Sequence, residues 1–314
     1  MGPSVALFRS CYRGHQLEMQ PLWQDDDTLV AARASLIDWY EAHHRSFPWR
    51  ATSDPYHILV SEVMSQQTQL SRVEGAYHAF LDRWPTLGRL AATPSEEVVG
   101  FWTRHSLGYN RRARYLHAAA AQILGEFDGV IPRDPESLQD LPGVGPYTAN
   151  AVASFAYNTP AAVVDTNVRR VLHRLGPPAP DRDDDAVADR LMPSTAAGLW
   201  NNAIMELGSQ ACTPTPRCDE AGCPLRQWCH AYQTGDFSTP KTPQQPSFEG
   251  SRRQLRGQIV NILATEGAMT VQAVRAALHA RDIEHPDPDR VTSALDSLVE
   301  DHLIRQADGV FEVA

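Results

Sequence analysis

Three short stretches of this chain carry residue types and spacings that could do chemistry. Leu141-Pro142-Gly143-Val144-Gly145-Pro146-Tyr147 sets two glycines around a valine immediately before a helix. A turn that tight lets backbone N–H groups face outward, and the helix adds its positive end, so Gly143, Val144 and Gly145 form a seat for a phosphate. Eighteen residues after Tyr147, an apolar run ends in Asp165-Thr166-Asn167. Asp165 is placed to cap a helix with its carboxylate. Glu62 lies among Leu59, Val60, Val63 and Met64, and is either a surface carboxyl at the edge of an apolar stripe or a buried acid with a raised pKa. Finally, Cys212, Cys218, Cys223 and Cys229 stand with five, four and five residues between them. Four thiolates in one loop can close a zinc site or hold a [4Fe–4S] cluster. No pair shows the two-residue spacing of a zinc knuckle, and the uneven loop suits the larger cubane.

The elements that must position these residues read as helices. Apolar residues recur at helical spacing over 27–44, 56–67, 71–84, 111–127, 147–157, 166–175, 184–192 and 196–208. Thr93-Pro94-Ser95-Glu96 reads as a capping box opening a helix that runs to about residue 105. Residues 236–251 hold Pro240, Pro243 and Pro246 among Ser, Thr and Gln, the composition of a linker. Beyond it, 255–266, 270–280 and 287–302 read as three helices, and 303–313 as two strands about an Asp308-Gly309 turn of type I′. Three helices closed by a hairpin look like a winged-helix domain, which serves either to bind DNA or to pack against a protein. The fold expected is all-α with this small C-terminal unit.

Composition bounds the function. The 314-residue chain is long enough for two or three packed units, and no apolar run approaches a membrane span. No secretory signal opens the chain, and four clustered cysteines fit poorly with a disulfide framework, so an intracellular protein is expected, with Cys11 a free thiol. A net charge of −10 argues against a nucleic-acid partner. However, acid collects at 25–27 and 181–185, while Arg111, Arg112 and Arg114, and Arg169, Arg170 and Arg174, form basic clusters. These are either solvated helix faces or a local footprint for phosphates. Of 28 basic residues only Lys241 is a lysine, and it lies in the linker, so an amine for Schiff-base chemistry is nearly absent.

The hairpin segment, Ser61-Glu62-Val63-Met64-Ser65-Gln66-Gln67-Thr68 and the four-cysteine loop together resemble the MutY-type adenine-DNA glycosylases of the helix-hairpin-helix superfamily, over about 47–229. The resemblance implies a two-lobed body spanning 27–235, with a six-helix lobe at about 54–164 and a cluster lobe at 27–53 plus 165–235. A leader (1–26, poorly ordered), a linker (236–251) and a winged-helix-like domain (252–314) complete the expected organisation. It further implies that Glu62 protonates N7 of a flipped adenine, that Asp165 stabilises or transiently bonds the sugar cation, and that Asn167 orders the acid pair. Tyr147 stands where the bifunctional glycosylase-lyases carry a lysine, so base release without strand cleavage is implied. Gln67 corresponds to the wedge inserted beside the lesion, Thr68 to a contact with the damaged strand, and Tyr109 to an intercalating ring. The cysteines correspond to ligands of a structural [4Fe–4S] cluster whose iron catalysis does not need.

Several positions depart from the family pattern. The first two cysteine gaps differ, Arg104-His105-Ser106 lengthens a turn, Asn110 replaces a second tyrosine, and Ser65 replaces a leucine. The small C-terminal unit stands where a Nudix-like domain that reads 8-oxoguanine is usual. The expectation is a monomeric enzyme acting on double-stranded DNA that carries adenine opposite 8-oxoguanine or guanine. A thymine or uracil mismatch glycosylase of the same fold is the alternative, and a non-catalytic iron–sulfur DNA sensor a more distant one.

Overall fold

The computed structural model describes residues 21–179, 181–239, 247–281 and 287–314. Cys11, Lys241 and the linker prolines lie outside them. Helix starts are set by short polar caps. Asp25 Oδ2 accepts from the Thr28 N–H at 2.7 Å and opens α1 (Asp26–His43). Asp54 accepts from the Tyr56 and His57 N–H groups and, with Pro55 in the first turn, opens α2 (Pro55–Ser65). The chain continues through α3 (Leu70–Arg83), α4 (Leu87–Ala91), α5 (Ser95–Arg104), α6 (Arg111–Glu126), α7 (Pro135–Gln139) and α8 (Pro146–Tyr157). Then come α9 (Thr166–Leu175), α10 (Asp184–Leu191), α11 (Ala197–Gln210) and α12 (His230–Thr234).

Two apolar cores organise these helices. Leu59, Met64, Phe80, Trp102, Leu116 and Ile123 belong to the first, built by α2 to α8. Leu29, Leu36, Val171, Leu172, Trp200 and Leu207 belong to the second, built by α1 and α9 to α12, which also takes in the four cysteines. Each fully buried aliphatic side chain contributes about 1.5–3 kcal/mol. Residues 21–26 of the leader expected over 1–26 are among those described. Leu22 is buried in the second core, and Asp25 already serves as the cap of α1.

The C-terminal unit is α13 (Arg252–Glu266), β1 (Met269–Thr270), α14 (Val271–Ala280), α15 (Pro288–Glu300), β2 (Ile304–Ala307) and β3 (Val310–Val313). Its sheet has the order β1-β3-β2, antiparallel throughout, with Ile304 opposite Val313 and Met269 opposite Phe311. Asp308 and Gly309 both have positive φ, 49° and 78°, as a type I′ hairpin requires. Leu255, Ile259, Val260 and Leu263 of α13 join the first core, so this unit is packed onto the body through α5.

One local reading is overturned. Thr93 does not cap α5. Pro94 occupies the cap position without a side-chain hydrogen bond, because the Thr93 hydroxyl donates to Arg89 O and accepts from Trp84 Nε1. No helix among the described residues is long and apolar enough to cross a membrane.

Candidate active site and DNA-facing loops

Glu62 lies in the last turns of α2, with neighbours Leu59, Val63 and Met64 fully or nearly fully buried. The carboxyl is itself buried, and its pKa stands at about 7, raised first by burial and then by the charge of Asp165, with Arg50 opposing the shift. The buried alternative for Glu62 is therefore the one the fold selects.

Asp165 is the N-cap of α9. Its Oδ1 accepts from the Asn167 N–H at 2.8 Å and the Val168 N–H at 2.7 Å, and Oδ2 accepts from Asn167 Nδ2 at 3.1 Å. The capping role and a site role coincide, since the same bonds fix where the carboxylate sits. Arg170 holds Asn167 in turn, donating to its Oδ1 at 2.8 Å and to Gly208 O at 2.7 Å. The approach to Asp165 is also pinned. Asn150 Nδ2 donates to Ala162 O, and the buried Asn201 accepts from the Val163 N–H and donates to Ala161 O. Neither Asn150 nor Asn201 stood out in the sequence; an asparagine amid an otherwise apolar helix face was the available signal.

Tyr147, in the first turn of α8, is partly buried, and burial followed by the charges of Glu62 and Asp165 holds its pKa well above the usual phenol value. The three groups thus form one electrostatic cluster, contributed by α2, α8 and α9, at the meeting of the two cores. Below it, Glu206 is fully buried between Arg45 and Arg50, each 2.6 Å away. Burial works to raise the Glu206 carboxyl, and the bonds and charges from the two arginines overcome it, holding it at about 2.

Three loops converge beside this cluster. Gly143 sits in the turn between α7 and α8 at φ +75°, where a Cβ would come within 2.6 Å of Tyr115 Cβ, so glycine is required twice over. The Val144 N–H is used within the turn, bonding Leu141 O at 3.1 Å, whereas the Gly143 and Gly145 N–H groups have no partner among the described residues. The groups left to meet the phosphate expected here are accordingly the two glycine amides and the α8 N-terminus. Gln66 ties this turn to the end of α2, donating to Thr148 Oγ1 at 3.1 Å. Gln67 is exposed at φ +53°, and Tyr109 is 42 % exposed at φ +48°. Thr68, expected as a contact to the damaged strand, is turned inward: its hydroxyl donates to Leu107 O at 2.8 Å and accepts from Arg112 Nη2 at 2.9 Å.

Arg112 corrects the reading of its basic cluster as surface. Only 6 % exposed, it donates to the carbonyls of Val63 and Met64 at the end of α2 and of Gln66 just after it, and to those of Leu107 and Gly108 on the neighbouring loop. It closes the C-terminus of α2 and locks the Gln67 and Tyr109 loops together. Arg174, 3 % exposed, likewise points inward, to Thr213 O, Pro214 O and Phe237 O.

The four cysteines are buried and unpaired and line one small cavity with Val171, Arg174, Leu175, Leu207 and Leu225. Arg174 Nη1 lies 3.5 Å from Cys212 Sγ. Among the described residues, no three His, Cys, Asp or Glu side chains converge closely enough for a single metal ion. Burial pushes the Cys223 thiol up to about 12 and Cys229 to about 11, and raises Cys218 as well.

Comparison with known proteins agrees with this geometry. Residues 60–195 match the family model described as HhH-GPD superfamily base excision DNA repair protein. The chain is 42 % identical to the adenine DNA glycosylase of Mycolicibacterium smegmatis over 89 % of its own length and 94 % of that protein. It belongs to the adenine DNA glycosylase family. The Mycobacterium tuberculosis (strain H37Rv) adenine DNA glycosylase is 39 % identical over 88 % of this chain and 91 % of that family member, and the human one 39 % identical over 68 % of this chain and 41 % of its length. Among solved structures, a thermostable thymine-DNA glycosylase superposes with a TM-score of 0.60 at 28 % identity, covering 66 % of this chain and 97 % of that one. A trapped endonuclease III–DNA covalent intermediate gives 0.57 at 26 % identity, covering 67 % and 98 %. In both, the match falls short of this chain's full length.

Proposed function

We propose that this family member excises adenine mispaired with 8-oxoguanine or guanine from double-stranded DNA, and stops at the abasic site. The observation that carries the reading is the pairing of a buried acid near pH 7 with a second carboxylate locked by a helix N-terminus. Glu62, protonated, donates its proton to N7 of the flipped adenine, which makes the base a neutral leaving group as the bond between C1′ and N9 breaks. The electron pair of that bond leaves with the base. Asp165 offsets the positive charge developing on the sugar, and water then adds at C1′ and gives its proton to the Glu62 carboxylate left by the first step, as paired carboxylates do in glycoside hydrolysis. Asn167 and Arg170 keep Asp165 in place. Tyr147 stays a neutral phenol, so it supplies a hydroxyl to the pocket and no nucleophile.

Gln67 and Tyr109, exposed at the tips of adjoining loops, are the side chains to enter the stack when the adenine leaves it, and the Gly143–Gly145 turn grips the backbone. The adenine DNA glycosylase relatives support adenine over the thymine or uracil alternative. Cys212, Cys218, Cys223 and Cys229 fit a [4Fe–4S] cluster, because four buried thiols ring one cavity without converging on a point. When bound, the cluster would hold the four sulfurs as thiolates and cross-link the loop that carries them.

The test is a panel of duplexes with A opposite 8-oxoguanine, A opposite G, T opposite G and U opposite G. Free adenine from the first two, with nicking only after alkali and no borohydride-trapped adduct, is the expected result. Release of thymine or uracil instead, or nicking without alkali, contradicts the reading.

A further inference from the structure

Tyr109 is held from two sides, and one of them is the C-terminal unit. The Arg112 guanidinium lies 5.5 Å from its ring centroid. Its hydroxyl accepts from Arg253 Nη1 at 3.2 Å, and Arg253 is in the first turn of α13. That second contact is not a chance meeting of mobile parts, because α13 shares the first core with α5. Asp301, just past α15, adds a polar clamp on the helix that starts two residues after Tyr109. Its carboxylate pairs with Arg111 at 3.5 Å and with Arg256, and its carbonyl accepts from Arg114 Nη1 at 2.7 Å.

The rest of the unit is poorly suited to reading a duplex on its own. α15, the helix before the hairpin, exposes Asp289, Asp296 and Glu300 around a hollow of about 410 Å³. Carboxylates there repel phosphates, and the neighbouring Arg290 spends Nη2 on Gly250 O at 2.8 Å. The side of the unit that meets the DNA-facing loops is instead the start of α13.

We infer that the C-terminal unit is a working part of the insertion surface, with Arg253 acting as a positioning residue that orients the Tyr109 ring for entry into the duplex beside the lesion. This rests on the proposed reading of Tyr109 as an inserted side chain. Tyr109 has a left-handed backbone and over two-fifths of its surface in solvent, so contacts at its ring and hydroxyl decide its direction. Preorganising the ring removes an ordering cost from binding a mismatch and leaves binding to ordinary duplex unchanged.

A double-mutant cycle on the full-length protein tests this, using Arg253→Met, Tyr109→Phe and the two combined. Affinity is measured for a duplex with A opposite 8-oxoguanine and for its fully paired counterpart, with 2-aminopurine beside the adenine to report unstacking. Each single variant should weaken mismatch binding about three- to tenfold, the range of one hydrogen bond, and reduce the 2-aminopurine signal. The double variant should be no worse than either single one, Arg253→Lys should recover part of the loss, and the paired-duplex affinity of Arg253→Met should not move. Additive losses, or equal losses on both duplexes, would reduce Arg253 to an ordinary phosphate contact and overturn the inference. So would an Arg253→Met protein that binds and unstacks like wild type. A wild-type protein with no preference for the mismatch overturns the proposed function as well, which separates the two failures.

Discussion

The charge of Asp165 stands second only to burial in raising the Glu62 carboxyl to about 7. The two acids come from helices a hundred residues apart in the chain, α2 and α9, and each is fixed by a different device. Apolar packing holds Glu62, and backbone N–H groups hold Asp165. Their roles differ because their surroundings do.

The pH dependence of excision follows from that relationship. In the proposed role Glu62 must carry its proton, so single-turnover rate should be level below about pH 7 and fall about tenfold per pH unit above it. Asp165→Asn, which removes the neighbouring charge, should lower the Glu62 pKa, readable as a shift of its carboxyl resonance. A rate that rises through pH 7 would reverse the assignment of acid.

Arg112 should matter for stability as much as for binding. Arg112→Met leaves the carbonyls of Val63, Met64, Leu107 and Gly108 without their buried donor, at a cost of about 3 kcal/mol in chemical denaturation. A loss under about 0.5 kcal/mol, the usual range for surface changes, would mean that Arg112 is dispensable to the two loops.

Glu206 sets an acid limit on the fold. Its pKa is held at about 2, below the usual carboxylate value of about 4.3, so its contribution is complete above that value and is lost as pH falls towards 2. Glu206→Gln should cost about 3–5 kcal/mol at neutral pH and flatten the acid limb of the stability curve between about pH 4 and pH 2. An unchanged acid limb would show that the Arg45–Glu206–Arg50 group carries no linkage.

Metal content separates the two uses of the cysteines. Anaerobically purified protein should contain about four irons per chain, with broad visible absorption. About one zinc and no iron would contradict the cluster.

Much of this was legible in the sequence, and the exceptions share physical causes. Long helices such as α1 and α6 announce themselves by periodicity, and Asp308-Gly309 by the positive φ that its turn demands. By contrast, α4, α7 and α12 have five residues each, too few for a period to show. β1 has two residues and exists only through its pairing with β3. Arg112 and Arg174 look like surface charge until tertiary structure supplies the carbonyls that they satisfy. Thr93 resembles a cap, but Trp84 and Arg89 claim its hydroxyl first. For Glu62, the residues alone favour a surface carboxyl and the family resemblance a buried one, and packing decides between them.

The central claim is that Glu62 is the proton donor for adenine release. It is tested most directly by quantifying free adenine under single-turnover conditions from a duplex with A opposite 8-oxoguanine, for wild type and Glu62→Gln at equal duplex occupancy. Release by the wild type and a rate about 10²–10⁴ lower for the variant, with duplex affinity retained, is the expected result. Near-normal release by Glu62→Gln would contradict it.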